Sequence, residues 1–321
     1  MTSSGRAADM RVTVLAGGVG GARFVRGLRE ALSGDDEITL VVNTGDDLWL
    51  SGVRLQPDID SILYALAGVN DTERGWGRAG ETERVSAELR EWGSGWPWFT
   101  LGDLDLGTHL ARTGWLRDGL TYTQIAERLA ARWPIGVRLL PMTDAEVDTH
   151  VVVEDGSRLH FQEWWTRHRA ALRAVEFQNE GIQDAGPAPG VVEAIEGADV
   201  VLIAPSNPVV SIGPILAVPG IREALANARR VVGVSPIIGG RVVRGMADAC
   251  LSAIGVETAA DAVARHYGRR ADGGVLDTWM LAEEDATLAA GLRDEGWDVR
   301  VEPLWMSDLE RSAALARAAL A

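Results

Sequence analysis

Apolar residues recur along this chain in two alternating patterns, short continuous runs and helical spacings. Val12, Val14 and Leu15 mark a first short strand, followed by a glycine turn (Gly17, Gly18, Gly20, Gly21) and a helix-like segment from Ala22. A second strand is predicted at residues 38–42, and buried strands at 199–204 and 230–234. Weaker runs lie at 274–281 and 297–301. Continuous apolar runs of strand length are the pattern of strands covered on both faces. Helical spacing fits residues 213–226, 246–254, 258–267 and 307–320. The alternation predicts an α/β, Rossmann-like fold: a mostly parallel sheet with helices on both faces and ligands at the carboxyl ends of its strands. Between residues 60 and 134 the pattern changes. Helical stretches at 61–67, 82–91, 108–117 and 123–133 follow one another without a clear strand. Residues 11–57 and 135–321 are therefore expected to form a nucleotide-binding core and 58–134 a smaller helical insertion capping it. Residues 1–10 are expected to be a disordered tail, and the glycine- and proline-rich residues 186–190 a loop.

Composition narrows the function. At 321 residues and 46% hydrophobic content, the chain can bury a sizeable core. A formal net charge of −15 argues against nucleic-acid partners, because phosphate backbones demand a basic face. No apolar run approaches the roughly 20 residues a spanning helix needs, so no membrane insertion is expected. The start is polar, without the apolar stretch of a targeting segment, and Cys250 is the only cysteine. Both features fit a reducing cytoplasm.

Strand, glycine turn and helix together make a phosphate cradle, since glycines let backbone N–H groups approach an anion at the positive end of a helix. The turn fits neither common fingerprint. Counted from Gly18, the third glycine of a dinucleotide motif would fall at Arg23, and no Gly-Lys-Ser/Thr follows. The second strand runs into Asn43, where a nicotinamide ribose would prefer an acid. A dehydrogenase is disfavoured, while tight packing remains the plain alternative for the turn. Asp46 and Asp47 follow the second strand, and Asp58 and Asp60 follow Pro57. Such acids serve as helix caps and solvated turns, or as hard oxygen ligands for Mg²⁺ on a substrate phosphate. Asp103 and Asp105 form another candidate pair. The loops 205–208 and 235–240 present Ser206, Asn207, Ser235 and backbone donors on prolines that fix φ. Residues 160–165 (HFQEWW) read as a ring-stacking wall or as core. The five histidines lack zinc-binding spacing.

Taken together, residues 15–24 (LAGGVGGARF), 42–49 (VNTGDDLW), 57–60 (PDID), 101–109 (LGDLDLGTH), 160–165, 204–214 (APSNPVVSIGP) and 235–239 (SPIIG) resemble the 2-phospho-L-lactate transferase family of coenzyme F420 biosynthesis, in its actinobacterial, phosphoenolpyruvate-transferring branch. The resemblance runs from about residue 11 to 255, and it departs at Leu104, where the family commonly has Arg. A basic contact near the phosphates is then either missing or supplied elsewhere, for instance by Arg112 or Arg23. The resemblance implies a Mg²⁺-dependent transfer onto the deazaflavin Fo (7,8-didemethyl-8-hydroxy-5-deazariboflavin) from a guanosine diphosphate ester, enolpyruvyl or lactyl, with GMP leaving. It places Asp46 and Asp60 at the metal and the Fo hydroxyl, and Asp60 and Thr100 at the Fo chain. Gly17, Gly18, Gly20, Gly21, Arg23, Asn43, Ser206, Asn207, Ser235, Ile238 and Gly239 would hold the guanosine nucleotide. It also implies a homodimer. Related folds that bind nucleotide sugars without catalysis are the rival reading. The segments around Asp46–Trp49 and His160–Trp165 favour the enzyme.

Overall fold

A computed structural model describes residues 9–32 and 34–321; residues 1–8 of the expected tail lie outside the described residues. Strand β1 (Arg11–Ala16) leads into α1 (Gly18–Ala31) and β2 (Glu37–Val42). A hairpin of β3 (Leu48–Leu50) and β4 (Val53–Leu55) precedes α2 (Pro57–Ala67), α3 (Arg84–Glu91), α4 (Asp103–Arg117) and α5 (Tyr122–Ala131). After β5 (Arg138–Pro141), β6 (Asp148–Val153), β7 (Arg158–His160) and β8 (Ala174–Glu180) form a separate antiparallel sheet. Then come α6 (Val191–Gly197), β9 (Val200–Ile203), α7 (Gly213–Ala217), α8 (Ile221–Asn227) and β10 (Val231–Val234). A short hairpin of β11 (Ile237–Ile238) and β12 (Arg241–Val242) leads to α9 (Ala247–Ala253) and α10 (Ala260–Tyr267). The chain closes through β13 (Thr278–Ala282), α11 (Leu288–Asp294), β14 (Asp298–Glu302) and α12 (Leu309–Leu320).

The main sheet has seven strands in the order β14-β13-β10-β9-β1-β2-β5, every neighbouring pair parallel. The chain winds outward from β1 through β2 to β5, then returns to β9 beside β1 and winds the other way. The switch point between β1 and β9 opens a crevice at the strands' carboxyl ends, where doubly wound sheets bind ligands. Register places Leu15 opposite Ile203, so the loops after these two strands leave the sheet side by side.

Alternate strand residues feed two cores. Val12, Val14 and Leu40 pack with Phe24, Leu28, Ile62, Ile125 and Leu315 on one face. Leu15, Val41 and Ile203 pack with Ile195, Ile215, Leu225 and Leu292 on the other. The regular elements of residues 58–134 are helices, joined by loops at 68–83 and 92–102 with an isolated bridge between Asn70 and Arg78, and α2 and α5 share the core of α1.

Several boundaries differ from expectation. The first helix begins at Gly18, so the glycines lie within its first turn. The segment expected as one helix at 213–226 divides at Val218-Pro219-Gly220 into α7 and α8, with a π turn (Pro208–Ile212) before it, because Pro219 cannot continue the backbone ladder and Gly220 takes φ 97°. Helix α4 starts at Asp103, making Asp103 and Asp105 first-turn acids, which the positive helix end favours. No single helix among the described residues is long and apolar enough to cross a membrane.

Candidate active site

The glycine turn is set by close approach. A Cβ on Gly17 would overlap Asp58 Oδ2 and lie 2.7 Å from Ser211 Cβ, and one on Gly20 would lie 2.7 Å from the carbonyl oxygen of Pro205. Gly18 takes φ 61°, a conformation side chains resist. The Ser206 hydroxyl donates to the Gly17 carbonyl at 2.7 Å and accepts the Gly17 N–H at 3.1 Å. The loops after β1 and β9 are thereby clamped together at the crevice, with the start of α1 pressed against α2.

Around that clamp lie buried carboxylates. Asn43, fully buried at the end of β2, donates through its amide nitrogen to Asp46 (3.2 Å), Asp58 (3.0 Å) and the Val210 carbonyl, while its oxygen accepts the Gly45 N–H. Asp46 also accepts from Gln162 Nε2 at 3.0 Å. Asp47 accepts from Gln56 at 2.8 Å and faces Arg54 at 3.8 Å. Burial, then the neighbouring charges of Asp58 and Asp47, raise the Asp46 carboxyl well above its ordinary range. Burial likewise raises Asp47 against the opposing pull of Arg54. Asp58 is pushed up to about 6 by burial, against hydrogen bonds from Asn43, the Gly18 N–H and Ser211.

A second network holds Asp60. One carboxylate oxygen accepts from the fully buried Arg112 guanidinium, and the other lies 3.6 Å from His109 Nδ1. His109 Nε2 is 3.4 Å from Asp105, which accepts from the Tyr64 hydroxyl at 2.7 Å. Burial pushes the Asp105 carboxyl upward, but His109, Tyr64 and Arg112 outweigh it and hold the group below its ordinary value. Asp47 links the two networks electrostatically: its charge raises Asp46, and the charge of Asp60 raises Asp47. The family resemblance pairs Asp46 with Asp60 and gives Asp58 no role. In the structure Asp58 shares Asn43 with Asp46, while Arg112, more than 40 residues from Asp60 in the chain, holds both Asp60 and His109 Nδ1.

The remaining candidates spread around this centre. Asn207 caps the π turn, its Oδ1 accepting from the Val209 and Val210 N–H groups at 2.9 and 3.3 Å. The Ser235 hydroxyl closes its own loop, donating to the Ile237 carbonyl and accepting its N–H. Ile238 is buried, and the Gly239 N–H is held by Asp285 at 2.9 Å. The side chains of Asn43, Ser206, Asn207 and Ser235 are thus engaged in shaping loops. Arg23 is exposed on α1 and Thr100 partly exposed before α4. Leu104 is also exposed, and Arg112 lies at Asp60. Of the expected aromatic wall, Trp164 is fully buried in a satellite core, its indole N–H donating to the Leu172 carbonyl. His160 instead borders the acids, with Nε2 3.3 Å from the Asp47 carbonyl. It continues a row of rings through Trp96 (6.0 Å), which stacks on Trp98 at 4.6 Å. The exposed Trp49 is tied to Glu146 at 3.2 Å.

The donor set fits a divalent cation. Asp47 Oδ1 and Asp60 Oδ2 are buried without a hydrogen-bond partner, an arrangement unfavourable unless a cation neutralises it. One ligand atom each from Asp60, Asp105 and His109 also lie within 4.8 Å of one another. Arg112 and Tyr64 already serve that group.

Comparison with known proteins agrees with this architecture. A family model described as 2-phospho-L-lactate transferase CofD matches residues 12–310. The phosphoenolpyruvate transferase of Thermobifida fusca (strain YX) is 55% identical over 322 residues, 97% of each chain. That of Nocardia farcinica (strain IFM 10152) is 51% identical, covering 97% of this chain and 94% of its own. A crystal structure of a UPF0052 family protein from Bacillus halodurans superposes with a TM-score of 0.64 over 98% of this chain and 100% of that one. At 20% identity it bears on the fold alone.

Proposed function

Because this chain belongs to the 2-phospho-L-lactate transferase family and is a transferase of coenzyme F420 biosynthesis, we propose that it moves the phosphoenolpyruvate unit of enolpyruvyl-diphospho-guanosine onto the terminal ribityl hydroxyl of Fo. The hydroxyl oxygen bonds to the phosphorus that carries the three-carbon acid, the bond from that phosphorus to the GMP oxygen breaks, and GMP leaves. The observation that supports this most is the group of buried carboxylates with orphaned oxygens on Asp47 and Asp60, set beside a glycine turn at the switch point. Asp46 and Asp60 would hold Mg²⁺, which when bound supplies charge neutralisation for the diphosphate.

The protein's part is positioning. Asn43 fixes Asp46 and Asp58 against each other, Gln162 steadies Asp46 through its other oxygen, and Arg112 holds Asp60. The first turn of α1 directs backbone N–H groups toward the crevice for the guanosine phosphates. The row formed by Trp98, Trp96 and His160, close to Asp47 and to the segment carrying Thr100, offers flat faces to the deazaflavin. No protein nucleophile is needed. We place the enzyme in the cytoplasm as a homodimer, in line with its family resemblance.

The test is incubation with Mg²⁺, Fo and either donor. GMP should form in step with Fo consumption, and the enolpyruvyl donor should give a product lighter than the lactyl product by the mass of two hydrogens. Turnover of the lactyl ester alone would reassign the donor. Tight guanosine-nucleotide binding without GMP release would make the chain a nucleotide-binding regulator.

A further inference from the structure

A cleft of about 310 Å³ opens between α1, α2 and the start of α12, roofed by residues 70–77 and by Arg244. Its lining reaches toward the acidic centre through Tyr64, whose hydroxyl donates to Asp105, and includes Val19 and Ser61, the residues that follow Gly18 and Asp60 in the chain. Its charge is unusual for a chain of net charge −15. Arg23 and Arg26, one turn apart on the same face of α1, both line it. Among the described residues neither makes an ion pair or a hydrogen bond, and Arg244 donates only to the Gly75 carbonyl at 3.5 Å. The two carboxylates in the lining are already engaged. Asp71 caps its own turn by accepting from the Glu73 and Arg74 N–H groups, and Asp308 caps α12 by accepting from the Arg311 N–H. The cleft therefore presents two uncommitted guanidiniums, with a third, Arg244, held by a single carbonyl, beside a helix start.

We propose that this cleft seats the carboxylate of the transferred three-carbon acid. The inference rests on the functional reading above, in which the diphosphate is taken by the glycine turn and the acidic centre. The carboxylate is the remaining charge of the transferred unit, and the buried acids would repel it. Arg54 and Arg112, the guanidiniums inside the acidic centre, are spent on Asp47, Asp148 and Asp60. Arginine forks suit a planar carboxylate, and those of the cleft are free to close on it. The same arrangement supplies a basic contact beside the site even though residue 104 is Leu.

Calorimetric titration with free phosphoenolpyruvate, inorganic phosphate and GDP tests this in the wild type and in an Arg26→Gln/Arg244→Gln double variant, both positions being exposed and so compatible with folding. Phosphoenolpyruvate should bind the variant at least about tenfold more weakly, as expected for loss of charge-assisted hydrogen bonds. GDP affinity should stay within about twofold, and the donor KM should rise about tenfold at nearly constant kcat. Unchanged phosphoenolpyruvate affinity would overturn the proposal. A parallel loss of GDP affinity would assign the cleft to the nucleotide instead, and inorganic phosphate binding as tightly, with the same arginine dependence, would show that a carboxylate is not what it reads. Failure of the wild type to release GMP would sink the functional reading while leaving the titration with phosphoenolpyruvate to decide the cleft.

Discussion

Replacing Gly17 by Ala inserts one methyl group where the structure has no room. The backbone tolerates it, because φ is −149°; the obstruction is steric. The new Cβ would overlap Asp58 Oδ2 and lie 2.7 Å from Ser211 Cβ and 2.9 Å from its hydroxyl, so α2 or the turn after β1 must move. Overpacking of this kind destabilises by about 1–3 kcal/mol, a loss of a few degrees in melting temperature for a chain this long. The larger effect should fall on catalysis. Asp58 shares the Asn43 amide with Asp46, so moving Asp58 re-aims Asp46, and displacement of a reacting group by about 1 Å lowers rates by up to about 100-fold. Thermal melts followed by circular dichroism, together with GMP release, measure both. Gly107→Ala is the control. It lies in α4 with nothing within 4 Å of the added carbon, and should stabilise by about 0.5–1 kcal/mol at an unchanged rate. Wild-type melting and turnover in Gly17→Ala would refute the claim that close packing at this turn sets the geometry of the acids.

Three further outcomes follow from the site. Asp46→Asn or Asp60→Asn should lower turnover by at least about two orders of magnitude without unfolding the protein, and EDTA should abolish activity; full activity in EDTA would remove the metal from the mechanism. In metal-free protein, the raised Asp58 carboxyl, at about 6, means that the folded state holds its proton more tightly than the unfolded chain does. Its stabilising contribution is then complete below about pH 4 and lost as pH rises through about 6; Asp46 and Asp47 act in the same direction. Melting temperature should fall from pH 4 to 7, less steeply in Asp58→Asn, and an identical slope in that variant would discount the Asp58 assignment. GDP or GMP should raise the melting temperature where NAD⁺ does not, by mass action on the folded state; the reverse pattern would revive the dehydrogenase.

How much of this was legible in the sequence depended on how local each feature is. Strands β1, β2, β9 and β10 are dominated by apolar residues, as parallel strands covered on both faces favour, and their mostly buried patterns match that reading. Strand β5, Arg138–Pro141, has only two aliphatic residues between its arginine and its proline, too few to stand out as a buried run. The antiparallel β6–β8 sheet was missed although residues 148–153 alternate in burial, since Asp148, Thr149 and His150 gave that strand a polar start. The π turns at 163–167 and 208–212 have no readable period. At the site, the acids were visible because Asp46 and Asp47, and Asp58 and Asp60, stand in pairs next to a strand end and a proline. Their partners were not. Arg54 and Arg112 look like ordinary hairpin and helix arginines until folding carries them, at 1% and 0% exposure, against the buried carboxylates of Asp47 and Asp60. A sequence records which charges exist, whereas their pairing is settled by the topology that brings β2, α2 and α4 to one end of the sheet. That is also why the three arginines of the cleft carry more information than those in the centre: Arg54 and Arg112 are explained by the acids they neutralise, while Arg23, Arg26 and Arg244 line space whose two carboxylates, Asp71 and Asp308, are engaged as caps.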